Sequence, residues 1–276
     1  MLIRISTILF SITLLGLTSG CGGAGSKRTL SSSCGDTDSL PDPVKKLVKV
    51  MADNDSDGFV SLVSYPLQRP YPLHDIDDAG QMRSYYSQLV DDSLRNAISN
   101  SRSFDWHENG WRGWSLDDGG YVWVDEYVYD VPYVSRRERM VIDSLVREEV
   151  NSLPESMREG WQPVMCLVNA EDGNVYRIDR CKHVDSVVSG DSDSYRVAIY
   201  NKGMHLHEVP SRLFAGSRST DGTAATEAFI FIDDDGREMF IESDAPDTGT
   251  PVMVMSNDSV VQLKRVYWHE LIRAAH

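Results

Sequence analysis

The chain has 276 residues, with 42 acidic side chains against 27 Lys and Arg, and a formal net charge of −15. So acidic a surface excludes nucleic-acid binding through the phosphate backbone and repels anionic lipid. The length exceeds what one small core needs and is comfortable for two.

Residues 1–20 carry one charge, Arg4, then an apolar run (Ile5, Ile8, Leu9, Phe10, Ile12, Leu14, Leu15, Leu17) and the small residues Thr18, Ser19 and Gly20, before Cys21. These are the three regions of a secretory signal, and the apolar run is shorter than the roughly 20 residues of a membrane span. The pattern resembles the bacterial lipobox. That resemblance implies cleavage before Cys21 and palmitate-type acylation of its thiol; the alternative is a cysteine that happens to follow a signal peptide. Two or more acyl chains give stable anchoring. Loss of 1–20 removes only Arg4 and takes the net charge from −15 to −16. Residues 21–40, with Gly22-Gly23-Ala24-Gly25-Ser26 and Ser31-Ser32-Ser33, read as a flexible tether. Gly22 stands where an inner-membrane retention signal would place Asp, which leans toward the outer membrane. The expected address is the bacterial cell envelope, with the membrane as partner through the N-terminal lipid.

Pro41–Val50 reads as a helix, with Val44, Leu47, Val48 and Met51 on one face and Lys45, Lys46 and Lys49 on the other. Asp77–Ser99 reads as one long helix capped by Asp77. Residues 111–130 switch to a strand pattern, and 136–150 return to a helix with Val141, Ile142, Leu145, Val146 and Val150 on one side. Val164–Val168 and Val175–Ile178 flank Glu171-Asp172-Gly173-Asn174 and predict a hairpin. Cys166 and Cys181 flank it, which leaves open either a disulfide between them or two free thiols. From about residue 186 the pattern is nearly all β, with strands at 195–200, 228–232, 238–242, 252–255 and 260–266 separated by turns such as Asp233–Gly236. The Ser189–Asp193 cluster marks the boundary. The expected fold class is α+β, with helices on a curved antiparallel sheet over 41–185, followed by a small all-β sandwich or barrel over 186–276.

Phe59–Leu67, Ile76, the Tyr85-Tyr86 helix, Trp111-Arg112-Gly113, Asp118-Gly119, Val122-Trp123 and Asp172–Ile178 run in an order that resembles the nuclear-transport-factor-2-like (cystatin-like, SnoaL-like) domains of secreted bacterial proteins. The resemblance covers roughly residues 42–183 and implies a cone-shaped sheet around helices with a pocket. The helix at 136–150 departs from that pattern. Such folds host enzymes and binding modules alike, so fold alone does not give function.

The most informative chemistry lies at 120–130. Alternation puts Tyr121, Trp123, Asp125, Tyr127 and Tyr129 on one face and Val122, Val124, Glu126, Val128 and Asp130 on the other. Aromatics around one acid suit a pocket lining. Arg112, Trp114, Tyr121, Trp123, Asp125 and Tyr127 are therefore the candidate ligand-binding residues. Asp125, if desolvated there, would serve as general acid/base; if solvated or paired with Arg112, it would not. Asp53, Asp55 and Asp57 copy the first half of a calcium loop, but Ser64 replaces its bidentate twelfth ligand. His205 and His207 share a strand face without a recognisable third ligand, and His183 and His269-Glu270 read as isolated. No cofactor motif is present.

Two function classes follow: a non-enzymatic envelope lipoprotein that binds a small molecule, glycan or protein, and a pocket enzyme using Asp125. Replacing Cys21 by Ser is expected to release the protein into the soluble fraction; unchanged membrane fractionation with no lipid label would refute the anchor.

Overall fold

The computed structural model of the chain describes residues 39–181, 194–220, 227–242, 251–255 and 260–274. The leader, Cys21, Cys34, nearly all of the tether, His183, the Ser189–Asp193 boundary and the turns at 247–249 and 256–258 lie outside the described residues.

Four helices come first. In α1 (Asp42–Ala52) the apolar stripe of Val44, Leu47 and Met51 is wholly buried. Asp55 caps α2 (Ser56–Leu62) by accepting from the Gly58 N–H at 2.9 Å. The expected long helix is two, α3 (Ala79–Leu89) and α4 (Asp92–Ser99). Asp78, not Asp77, caps the first, and Asp91 caps the second through the Leu94 N–H at 3.0 Å. An Asp that can accept from the backbone offers a local alternative to helix continuation, so it starts a new helix.

The helices pack on a four-stranded antiparallel sheet in sequential order: β1 (Trp106–Glu108), β2 (Trp114–Leu116), β3 (Val122–Val124) and β4 (Val128–Asp130). Trp106, Leu116, Val122, Val124 and Val128 join the helical core. Then follow α5 (Arg136–Ser152), α6 (Glu155–Arg158) and eight further strands: β5 (Trp161–Asn169), β6 (Val175–Cys181), β7 (Ser194–Tyr200), β8 (Arg212–Thr220), β9 (Glu227–Ile232), β10 (Glu238–Glu242), β11 (Val252–Met255) and β12 (Val260–Arg265), before α7 (Trp268–Ala274). Strands β5 to β12 form one closed antiparallel barrel, with β12 pairing back onto β5 (Leu263 opposite Asn169).

This overturns the expected fold class. The molecule is mostly β: an eight-stranded closed barrel plus a small four-stranded sheet, not helices on a cone-like sheet. The hairpin at 161–181, read as part of the cone, is two staves of the barrel, paired to β12 on one side and β7 on the other. The implied cone of the nuclear-transport-factor-2-like resemblance falls with it. Nor do Cys166 and Cys181 pair: both thiols are free. Cys166 lies opposite Arg177, and Cys181 lies opposite Trp161. Five rungs along a strand amount to about 16 Å, more than twice the Cα separation a disulfide spans. Burial pushes the Cys166 thiol far above its ordinary range.

Alternation explains the barrel. On β7, Tyr195, Val197 and Ile199 point inward with Tyr176, Ile178, Phe229, Phe231 and Ile241, and they fill the interior, as expected for eight strands. On β5, β6 and β7 the outward residues Cys166, Arg177, Asp179, Arg196, Ala198 and Tyr200 are also buried, because α5, α6 and α7 cover that part of the wall with Leu153, Met157, Trp268 and Ile272. Four charged side chains are sealed there. Arg177 bridges Glu149 (3.4 Å) and Asp179 (2.9 Å), and Asp179 bridges Arg196 (2.9 Å). Two guanidiniums against two carboxylates keep the patch neutral. Burial alone would lower the Arg177 pKa, but Asp179 and Glu149 outweigh it and hold the guanidinium charged.

The helix α5 departs furthest from its sequence pattern. Its fully buried residues are Glu138 and Glu149, while Val141 is exposed. Glu138 takes a bidentate ion pair from Arg69 (2.9 Å to each oxygen), accepts from Tyr85 Oη at 3.1 Å, and closes a capping box with Ser135. Arg69 also donates to the carbonyls of Val131 and Tyr133. Replacing Glu138 by Ala is expected to strand Arg69 and to cost about 3–5 kcal/mol in urea unfolding. Lys49→Ala, which removes the exposed pair with Asp53, should leave the urea midpoint nearly unchanged.

Candidate functional site

A groove of 670 Å³ opens on the four-stranded sheet, lined by Ser64, Trp111, Arg112, Trp123, Asp125, Glu126, Tyr127, Tyr129 and Asp130. Two hairpin tips build it. Between β1 and β2 the chain makes a 3-10 turn, Gly110–Arg112, closed by the Asn109 N–H donating to Gly113 O at 2.8 Å. This turn holds Trp111 out into solvent at 77% exposure, with the Arg112 guanidinium 5.2 Å from its ring centre. Gly113 has φ +73°, and a Cβ there would lie 2.4 Å from the carbonyl oxygen of Val124, so the first tip must pass flat against the second.

The second tip is the β3–β4 turn. The Asp125 N–H donates to Tyr127 O at 3.0 Å, and the strand register shifts at Trp123/Val124. The expected single strand over 120–130 is therefore a tight hairpin, and alternation does not carry across 125–127. Val122, Val124 and Val128 are buried as read. Asp125, Glu126 and Tyr127 are exposed on the turn.

Four of the six expected binding residues, Arg112, Trp123, Asp125 and Tyr127, thus meet in the groove. The other two do not. Trp114 packs on the helical core, and Tyr121 stacks on Tyr133 at 5.5 Å and faces a separate hollow. Trp111, Glu126 and Asp130 enter instead. Tyr129 completes the floor: it lies 6.4 Å from Trp123 and donates to Arg112 O at 2.9 Å. Trp123 is itself braced by the β2–β3 turn, where a Cβ on Gly119 would meet its indole at 2.5 Å.

Electrostatically the groove holds Asp125, Glu126 and Asp130 against one guanidinium. Asp130 is half-buried, and that burial pushes its carboxyl above the usual range against the opposing pull of the Val131 N–H and Arg69. Asp125 sits in open solvent and lacks the desolvation that a general acid/base role in a closed pocket would need.

The calcium-like loop is satisfied by protein. Asp53 pairs with Lys49, Asp55 caps α2, and Asp57 pairs with Arg83 at 3.1 Å. His205 and His207 lie on a loop rather than a strand, with His207 Nδ1 2.9 Å from Ser152 O.

Comparison with protein-family models, characterised proteins and solved structures finds no match to this chain. The groove must therefore be read from its own chemistry.

Gly113→Ala is expected to destabilise more than Gly110→Ala in thermal unfolding. Both have positive φ, but Gly113 also has ψ −134°, outside the left-handed helical region, and nothing lies within 4 Å of a Cβ at Gly110. Equal shifts would mean that the two tips are not in contact.

Proposed function

We propose that this protein is a lipid-anchored cell-envelope lipoprotein, held through Cys21 and directed toward the outer membrane, that binds a neutral or amine-bearing glycan in the aromatic groove without chemical turnover. The observation that carries the reading is the juxtaposition of exposed Trp111, Tyr127 and Tyr129 with Asp125 and Glu126 on two hairpin tips. Flat rings offer a surface for the C–H faces of a sugar ring, and carboxylates accept hydrogen bonds from its hydroxyls. The acid surplus disfavours uronic and phosphorylated polymers and favours ammonium groups, which also gain from the ring faces. An open groove on paired strands suits a chain that runs through it more than a small molecule that must be enclosed. No helix among the described residues is long and apolar enough to cross a membrane.

Titration with neutral, amino and uronic oligosaccharides, followed by tryptophan fluorescence, tests this. The first two classes should quench and the third should not. Trp111→Ala and Tyr127→Ala should each weaken binding about tenfold, equivalent to about 1.4 kcal/mol. A panel with no quenching at all overturns the reading.

A further inference from the structure

The C-terminal helix brings together a second group of side chains. His269 and Glu270 lie in the first turn of α7, and His74 lies in the loop between α2 and α3. The ligand atoms of the three residues all fall within 4.8 Å of one another. The geometry points to a site for a divalent transition metal of the zinc class, held by His74, His269 and Glu270.

Three observations support this site over a simple surface pair. First, His74 Nε2 stands 3.0 Å from Glu270 Oε1, with its ring against Tyr267 (centroids 3.8 Å apart). An exposed histidine is thereby held in one orientation. Secondly, His269 is buried, and its Nδ1 faces Glu149 Oε1 at 3.4 Å. With Nδ1 turned to this carboxylate, Nε2 is the ring nitrogen left to coordinate, which is how metal-bound imidazoles are supported from behind. Glu149 is in turn fixed by the Tyr71 hydroxyl (2.9 Å) and by Arg177. Thirdly, two imidazoles and one carboxylate are the donor set that borderline cations select over calcium or magnesium.

The required adjustment is small. Tetrahedral donors at about 2.1 Å from zinc sit roughly 3.4 Å apart, so the widest pair closes by less than about 1.5 Å. Rotation of the exposed His74 and Glu270 side chains supplies that movement. Three protein ligands leave a coordination position open to solvent. His74 also lines a 250 Å³ cleft with Leu73, Tyr85 and Leu145. The site stands apart from the aromatic groove and does not depend on the glycan reading.

The full chain without an affinity tag, stripped of metal, should take up one equivalent of zinc by calorimetry. With cobalt it should develop the visible absorption of a low-symmetry N/O site. His74→Ala and Glu270→Gln, both at exposed positions and checked for fold by circular dichroism, should each weaken zinc about tenfold or more and abolish the zinc-dependent rise in melting temperature. A His205→Ala/His207→Ala double variant should bind as the wild type does. No zinc or cobalt uptake by the wild-type chain would overturn the site. So would wild-type affinity in His74→Ala and Glu270→Gln, or loss of binding in the His205/His207 variant.

Discussion

Two buried carboxylates on one helix hold this structure together. Glu138 and Glu149 lie eleven residues apart on α5, about three turns and roughly 16 Å, and so share one face. Glu138 meets Arg69 from the helical layer, while Glu149 meets Arg177 on the outer wall of the barrel. Each acid is wholly inaccessible to water, and each has a full set of donors around it. Ion pairs of this kind add little net stability over an apolar contact, but they are intolerant of any arrangement that leaves one member unpaired. The helix α5 therefore works as a keyed strut: one end meets Arg69 and its carbonyl partners, and the other supplies the carboxylate that neutralises Arg177, Asp179 and Arg196.

The key explains why the barrel has a buried outside. An eight-stranded barrel needs only its inward residues to be apolar, and Tyr176, Ile178, Val197 and Phe229 fill that role. The alternate residues Arg177, Asp179 and Arg196 would suit solvent in isolation. Beneath α5, α6 and α7 they become a pre-paired docking face, with Arg177 also against the Trp268 ring at 4.8 Å and Arg196 against Trp161 at 4.4 Å. Trp268 closes the layer by donating from its indole to Ser152 Oγ at 2.8 Å.

This arrangement shows what the sequence makes legible. Local signals are clear where one physical cause dominates. The stripe of α1, the Asp233–Gly236 turn and the buried Val122, Val124 and Val128 follow directly from periodicity. Readings fail where two causes compete. Val90-Asp91 interrupts an apolar stripe that continues through it, because a carboxylate cap outweighs helix propagation. The apolar side of α5 is read as its core face, yet the acids take that place, since pattern assigns burial by hydrophobicity and is blind to an arginine 69 residues away. The 161–181 hairpin is correct locally, but its partners are a strand beyond Ser189–Asp193 and another nearly a hundred residues on, so its domain is invisible from within it. In the groove, Trp123 and Tyr127 are legible as aromatics on a strand. Asp130 is not, because a tight turn at 125–127 resets the alternation, and Trp111 is not, because it sits on the separate 3-10 turn at 110–112. His74 carries no local signal at all; only the fold brings it to His269.

Closure of the barrel has a temporal consequence. The seam is the pairing of β12 with β5, and it joins the end of the chain to its middle (Arg265 opposite Leu167). The first four helices and the small sheet, by contrast, are built from neighbours in sequence, and beyond residue 130 they need chiefly Glu138 on α5 to pair Arg69. Contacts between distant residues form slowly, since the intervening loop must first be closed. Until β12 arrives, β5 presents an unpaired edge, and β11 does so at the other end of the sheet. The sheet that begins at β5 thus stays open until β12, the last strand of the barrel, pairs back onto it.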